Sequence, residues 1–221
     1  MEDNSMNCIK QEQMDEHKKE IIDLLRSTKR EGIDTIIEEL EEDGFFTAPA
    51  SSAHHSNYPG GLAQHSLNVF QMAERIGVAL LGGAGYNEIQ NSVIITTLLH
   101  DTGKVGDFEK EFYVPNMVQD GRPTKANPVQ KYKQSDKKPW MRNPELTNVP
   151  HGIRSAVIIE RYFELTEDEE YAIMYHDGLY EPSNVAVIKG HETPLLMLLH
   201  WADFWASHVI EGGENTEERE D

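Results

Sequence analysis

The stretch VIITTLLHDTGK, residues 93–104, decides the fold and raises the question of function. It begins as an apolar run that is typical of a helix packed into a core. It then ends abruptly in His100 and Asp101, two side chains that can bind metals, and Gly103 and Lys104 follow. A helix that only fills a core has no need of such an ending. If the pair serves a site, we expect the rest of the chain to supply its partners.

Hydrophobic periodicity predicts helices before and after this stretch. Two helix starts are clearly marked: Thr166 and Glu169 form a capping box, and Thr193 precedes Pro194 as an N-cap. A GGAGYN sequence interrupts the pattern after residue 81. The chain is therefore predicted to be all-α, with helices over residues 15–30, 33–43, 62–81, 88–100, 151–163, 167–176 and 194–210.

The segment 105–150 has no helical period and is rich in proline, and its Asp120-Gly121 pair indicates a small β-hairpin. A long insert of this kind is usually functional or disordered. We therefore predict a single helical domain over residues 15–210 that carries this insert. A flexible N-terminus, residues 1–14, and a disordered acidic tail, residues 211–221, are predicted to flank the domain.

Composition narrows the class of protein. The chain has 221 residues and a net charge of −19, which argues against nucleic-acid binding over the whole surface. Residues 104–150 differ, because they hold nine Lys or Arg against six Asp or Glu, and this stretch could be a solvated loop or could meet an anionic substrate. The single cysteine, Cys8, excludes cysteine-based zinc sites, and no apolar run is long enough to cross a membrane. We expect a cytoplasmic protein.

Histidine and aspartate recur at unexpected places on the other predicted helices. His65 lies in a first turn, His151 begins a helix, His176 ends one, and Asp203 lies in the apolar sequence LLHWADFWAS. A carboxylate buried there needs a strong partner, because an unpaired one is costly. Imidazoles and carboxylates without thiolates suit Fe, Mn, Co, Ni or Zn, and Mg is a further candidate. Because the set is too large for one ion that also holds water, it predicts two divalent ions bound by His65, His100, Asp101, His151, His176 and Asp203.

Each of these residues also has an ordinary explanation. A single histidine on an apolar helix is more often a hydrogen-bonded core residue than a ligand, and Asp203 alone could form a structural ion pair. A second His-Asp pair, His176-Asp177, shows that the dipeptide by itself is a weak signal. The prediction depends on the ordered combination, to which five predicted helices contribute.

The segments YPGGLAQHSLNVF, LLHDTGK, PHGIRSAV, AIMYHDG and HETPLLMLLHWADFWA resemble the HD-domain metal-dependent phosphohydrolases. The stretch REGIDTIIEELEEDGFFTAPAS is similar to a subgroup of HD-domain hydrolases common in phages and gut bacteria. The resemblance covers residues 26–210, although the insert matches poorly. It implies a helical bundle around the metals, with the H…HD…D frame on His65, His100, Asp101 and Asp203 and the extra histidines of two-metal members on His151 and His176.

The resemblance implies metal-dependent hydrolysis of a phosphoester or phosphoanhydride, in a nucleotide or another small phosphate compound. Our hypothesis is that Asp101 bridges the ions and orients the attacking water, while Lys104 and Arg154 contact the phosphate. Lys104 could instead be a favourable charge at a helix C-terminus, and Arg154 a surface ion pair. A single-stranded nucleic-acid end is a further candidate substrate if the insert forms a channel.

Two other functions remain open on the same residues. Some relatives with the same six ligands are di-iron oxygenases, and the chain could also be a non-catalytic metal-binding module. Among the remaining histidines, His200 could support a ligand, and His54 and His55 could line the pocket or be exposed. We expect the rest to be structural or surface residues, namely His17, His191 and His208.

Overall fold

A computed structural model describes residues 9–125 and 127–212, and most of these residues are helical. The α-helices are α1 (Gln11–Ser27), α2 (Ile33–Glu42), α3 (Gly61–Leu99), α4 (His151–Ile159), α5 (Glu167–Met174), α6 (Val185–Ile188) and α7 (Pro194–Trp205), and a π-helical turn, Ala206–Ile210, extends α7. The predicted predominance of helix is confirmed. Helix α1 begins at Gln11, so residues 11–14 of the predicted flexible N-terminus are helical. Residues 1–8 and most of the predicted acidic tail, 213–221, lie outside the described residues.

The longest helix, α3, folds back on itself. A straight helix of this length would extend for about 60 Å, yet the ring of Tyr86 lies where a Cβ on Gly77 would be. The reversal is at Gly82, where φ is 69° and ψ is 167°, a conformation that essentially only glycine adopts. The predicted break at GGAGYN is confirmed, but the non-helical backbone is limited to Gly82, and helix resumes before the predicted residue 88.

Two groups of buried apolar side chains form the core. The first joins α1, α2 and α4 to both halves of α3 and includes Leu25, Ile36 and Ile159. The second lies between α3, α5 and α7 and includes Val69 and Leu199. Since both halves of α3 are packed into this core, its C-terminal end also lies in the interior. The His-Asp pair that follows is therefore buried.

The predicted helix starts are confirmed. The Thr166 hydroxyl accepts a hydrogen bond from the Glu169 backbone N–H at 3.3 Å, and the Glu169 carboxylate accepts one from Thr166 N–H at 2.9 Å. Glu169 is fully buried and also pairs with Arg30 at 2.9 Å. The Thr193 hydroxyl caps α7 through the N–H of Leu196 at 3.3 Å. Local capping chemistry therefore sets the first residues of α5 and α7.

The insert forms three short antiparallel strand pairs, so the described chain is mostly helical rather than all-α. The strands are β1 (Gly106–Asp107), β2 (Lys110–Glu111), β3 (Tyr113–Pro115), β4 (Met117–Asp120), β5 (Lys131–Gln134) and β6 (Trp140–Arg142). Strand β4 pairs with β5 and β3 with β6, so that the pairs are nested in one ribbon. The predicted hairpin is confirmed, but ten residues rather than a tight turn separate Asp120 from its partner Lys131. The Trp140 indole N–H ties the ribbon to the 45–60 loop through the carbonyl of Asn57 at 2.8 Å.

A helix must be about 20 residues long and largely apolar to cross a membrane. No helix in the described ranges is both long enough and apolar enough to cross a membrane.

Candidate metal centre

The carboxylate of Asp101 lies at the centre of a cluster of imidazoles. Helix α3 ends at Leu99, His100 is its C-cap, and Asp101 precedes a 3-10 turn, Thr102–Lys104. Four histidine Nε2 atoms approach the carboxylate: His100 at 3.4 Å and His65 at 3.6 Å from Oδ2, and His151 at 3.3 Å and His176 at 3.6 Å from Oδ1. Each oxygen of Asp101 thus faces its own pair of imidazole nitrogens.

Different elements supply these side chains. The reversal at Gly82 brings His65, in the first turn of α3, beside His100 at its end, with ring centroids 5.4 Å apart. His151 begins α4, and His176 follows α5. The sixth predicted residue lies on α7, where Asp203 Oδ1 is 3.2 Å from the Nε2 of His65. The structure brings all six predicted side chains together.

The outer nitrogens of three rings are held by hydrogen bonds. His100 Nδ1 donates to the carbonyl of Thr97 and His176 Nδ1 to the carbonyl of Ile173, both at 2.8 Å. His65 Nδ1 donates to Glu211 at 3.0 Å. Because a carbonyl or carboxylate oxygen only accepts, these contacts place the proton on Nδ1. The lone pair of a neutral ring is then on Nε2, which points at the cluster, as metal-binding histidines require.

The buried polar atoms fit a bound cation. His65 Nε2, His100 Nε2 and Asp101 Oδ1 are buried, and none has a hydrogen-bond partner among the described residues. The 3.2 Å approach of Asp203 to His65 Nε2 is an ion-pair distance that fails the angular requirements of a hydrogen bond. Buried polar atoms are seldom left without a partner. Donor atoms of these groups lie within 4.8 Å of one another, so the cluster could bind a metal ion.

The charges of the protein alone also favour a cation. Burial by itself lowers the pKa of the His65 imidazole, but the carboxylates of Glu211 and Asp203 raise it, to about 10. Burial and the neighbouring Lys104 lower the pKa of His151 to about 4. Burial raises the pKa of Asp101, but the opposing effect of Lys104 and His100 is larger. The net pKa is below its ordinary value, and the carboxylate stays ionised. The carboxylates of the site therefore stay charged, and without a metal they are partly neutralised by a proton on His65. A bound cation could supply that positive charge in place of the proton.

Lys104 extends from the 3-10 turn back to the cluster. Its Nζ lies 2.6 Å from Oδ2 of Asp101, and only about a tenth of its side chain, 11%, is exposed. Burial opposes its charge, but Asp101 raises its pKa above the ordinary value. The side chain therefore stays an ammonium. The structure places it both at the cluster and on the wall of the cleft described below.

Arg154, predicted as a second phosphate contact, is held by groups outside the cluster. Its guanidinium donates to the carbonyl of Thr147 at 2.8 Å and pairs with Asp107 at 3.4 Å. The side chain is buried and does not line the cleft. Asp107, which also pairs with Arg161 at 2.9 Å, connects the insert to α4. Arg154 thus has a structural ion pair, which was the alternative prediction, although the pair is buried rather than at the surface.

The sequence prediction missed Glu211 and left the place of His55 open. Glu211 lies in the predicted disordered tail, yet its carboxylate accepts from His65, from Asn68 at 2.9 Å and from Ser56 at 2.7 Å. The ring of His55, which was left open between pocket and surface, lies 5.0 Å from the ring of His65. No local pattern marks Glu211, because an acidic tail usually remains solvated. The apolar run that ends at Ile210 is the only sequence feature that points to packing so near the C-terminus.

A small cleft opens beside the cluster and has a volume of about 120 Å³. Four residues of the cluster and its surroundings line the cleft: Lys104, His151, His176 and Asp203. His200, whose Nδ1 donates to the carbonyl of His176 at 3.0 Å, also lines it. The remaining lining residues are His55, Asp177, Tyr180, Phe204, Ser207 and His208. His208, expected to be a structural or surface residue, is exposed and also lines the cleft.

No family model, no curated protein and no solved structure matches this chain. The chemistry of the site therefore has to be inferred from its own residues. Two pairs of imidazole nitrogens lie on either side of one carboxylate, with an ammonium and a small cleft next to them.

Proposed function

We propose that this chain is a metal-dependent phosphohydrolase of the HD-domain superfamily. The observation that carries the proposal is the surroundings of Asp101. This carboxylate is fully buried, faces two imidazole nitrogens with each oxygen, and contacts the ammonium of Lys104 at 2.6 Å. A carboxylate between two such groups suits a bridge between two divalent ions, and Fe, Mn, Co, Ni or Zn is the class of ion that these ligands prefer.

The ligands divide into two groups about the bridging carboxylate. His65, His100 and Asp203 would hold one ion with one oxygen of Asp101. His151 and His176 would hold the other, because their Nε2 atoms lie 3.1 Å apart near the second oxygen. Two divalent ions carry four positive charges, which the buried carboxylates of the site can balance in part.

Hydrolysis of a phosphate ester suits this environment. When bound, such ions act as Lewis acids toward phosphate oxygens and lower the pKa of a coordinated water toward about 7. The water oxygen forms a bond to phosphorus, the ester P–O bond breaks, and the leaving oxygen gains the proton that the water loses. The reaction is balanced without any further reactant.

The residues of the chain would provide binding and orientation. Lys104 would give a fixed positive charge to a phosphate oxygen at the mouth of the cluster. The Nδ1 hydrogen bonds of His65, His100 and His176 would keep their rings from turning. Asp101 would orient the water through its position between the ligand groups. Both residues assigned to catalysis, Asp101 and Lys104, thus act at the point where the phosphate would lie.

The cleft favours a small substrate over a nucleic-acid strand. Among the described residues that line it, Lys104 is the only lysine or arginine. The basic side chains of the insert, such as Lys131 and Lys133 on the exposed strand β5, do not line it. A strand-binding channel would need a row of cations along the backbone. We therefore propose a nucleotide or another small phosphate compound as the substrate class.

The test is metal loading followed by an activity screen. Protein stripped with a chelator and reloaded with Mn²⁺ or Fe²⁺ should release phosphate from nucleotides or from nitrophenyl phosphate esters. Asp101→Asn should lower the rate at least about 100-fold, since it removes the central ligand, whereas Asp168→Asn, an exposed position on α5, should not change it. Iron-dependent oxygen consumption without phosphate release would support the oxygenase instead. Metal binding with neither reaction would indicate a non-catalytic module.

A further inference from the structure

Three aromatic rings stand together at the mouth of the cleft. Phe204 and His208, one turn apart, are stacked with centroids 4.2 Å apart and an angle of 17° between their planes. Tyr180 meets both rings edge-on at 5.7 Å. All three line the same cleft as Lys104. We call this group of Tyr180, Phe204 and His208 the aromatic platform.

The platform is open to solvent. Tyr180 is 67% exposed and Phe204 is 42% exposed, and His208 is also exposed. Aromatic side chains contribute most when they are covered, so exposed rings beside a polar cleft indicate a binding surface. Phe204 directly follows Asp203 in the chain, so the platform is tied covalently to the ligand cluster.

The size of the cleft indicates what would cover these rings. Its volume is about 120 Å³, well below the roughly 300–1,000 Å³ typical of a pocket that encloses a whole drug-sized ligand. There is room for a phosphate group, while the rest of a larger substrate has to lie outside. The surface immediately outside is the aromatic platform, and its face offers stacking rather than further positive charge.

We propose that the aromatic platform binds the planar ring of the substrate while its phosphate lies at the metal cluster. This inference rests on the proposed function and narrows its substrate class. The favoured substrates are nucleoside monophosphates and other phosphate esters of planar aromatic groups, rather than sugar or alkyl phosphates. Stacking on a ring does not depend on the identity of the base, so we expect little preference among the four common bases.

Equilibrium binding tests the platform without relying on turnover. Mn²⁺-loaded protein is titrated with the non-hydrolysable phosphonate analogues of four nucleoside 5′-monophosphates and of ribose 5-phosphate, which lacks the base. The nucleotide analogues should bind at least about 10-fold more tightly, since stacking of a base on an aromatic side chain is typically worth this much or more. Phe204→Ala and Tyr180→Ala should each remove most of this difference and leave the binding of ribose 5-phosphate unchanged.

Trp201 gives a matched control, because it is an exposed aromatic residue on the same helix that does not line the cleft. Trp201→Ala should leave the preference for nucleotides intact. Equal affinity for nucleotides and ribose 5-phosphate, or failure of all these probes to bind, would overturn the platform. A change in oligomeric state of Phe204→Ala with nucleotide binding unaltered would also overturn it and would assign the rings to a protein interface.

The same protein samples, assayed with the hydrolysable phosphate esters, separate the two proposals. If nucleotides bind preferentially but no metal supports phosphate release, the proposed hydrolase activity is wrong and the proposed role of the aromatic platform is supported. Phosphate release at equal rates from nucleotides and ribose 5-phosphate, together with equal affinities, would support the hydrolase and overturn the platform.

Discussion

Glu211 accepts the Nδ1–H of His65 at 3.0 Å, across a separation of 146 residues in the sequence. The carboxylate is almost fully buried, and His65 lowers the pKa of Glu211 to about 2 despite the opposing effect of burial. A carboxylate on the outer nitrogen fixes the tautomer of a ligand histidine and makes its inner nitrogen a stronger donor. The end of the described chain therefore takes part in the site by holding His65, a residue of its first half.

The first prediction concerns this contact. Glu211→Gln should weaken Mn²⁺ binding about 10- to 100-fold, because an amide holds the imidazole less firmly and does not increase its basicity. Isothermal titration of chelator-treated protein measures the change. Glu88→Gln, which alters an exposed glutamate on α3, should leave the affinity unchanged. Equal affinities for the two variants would show that Glu211 does not support the metal centre.

The second prediction concerns stabilisation by metal. Ions that bind only the folded chain stabilise it by about 2.7 kcal/mol when their concentration is a hundred times the Kd, which corresponds to a rise in Tm of about 5–10 °C for a chain of this size. Differential scanning fluorimetry with added Mn²⁺ should show this rise, and a chelator should reverse it. Asp101→Asn should lose most of the response, because it removes the central carboxylate. A Tm that is indifferent to both metal and chelator would argue against any metal site here.

The third prediction concerns the turn that supports His200. Gly178 has a φ of +58°, and a Cβ there would overlap the His200 ring. Gly178→Ala should therefore destabilise the protein through both backbone strain and a clash. Gly190→Ala provides the comparison, because its φ is +86° but nothing lies within 4 Å of the added Cβ. Strain alone should cost about 1–2 kcal/mol, and urea unfolding should show a clearly larger loss for Gly178→Ala.

The fourth prediction is a pH dependence that arises away from the cluster. Burial raises the pKa of Glu169, but its hydrogen bonds with Arg30 and the N–H of Thr166 have a larger, opposite effect. The net pKa is therefore below the ordinary value. A carboxyl whose pKa is lower in the folded state stabilises the fold above its unfolded pKa, about 4.3. That stability is lost as the pH falls through the folded pKa. Glu169→Gln should cost about 1.5–3 kcal/mol at pH 7, and less as the pH drops below 4.

Unfolding in urea between pH 7 and pH 3 measures the difference between the wild type and Glu169→Gln. The exposed neighbour Glu167 gives a matched control on the same helix, and Glu167→Gln should lose little stability at any pH. A constant difference between wild type and Glu169→Gln across this range would contradict the depressed pKa.

Much of this molecule could be predicted from the sequence, because the relevant interactions are local. Hydrophobic periodicity indicated the main helices, and short-range capping chemistry marked the starts of α5 and α7 at Thr166 and Thr193. The break near Gly82 was also visible, since glycine is needed wherever φ is positive. The six candidate ligands could be selected in order, because a buried polar side chain on an apolar helix is costly unless something binds it.

Only the tertiary structure decided which groups meet. The reversal at Gly82 sets His65 against His100, and packing of the chain end sets Glu211 behind His65. Arg154 turned to Asp107 because the insert brings a carboxylate within its reach. Such contacts join residues far apart in sequence. They depend on how whole helices pack, and this packing must offset the chain entropy that is lost on folding. The local sequence therefore identifies the candidate ligands of this site, while the fold determines their neighbours.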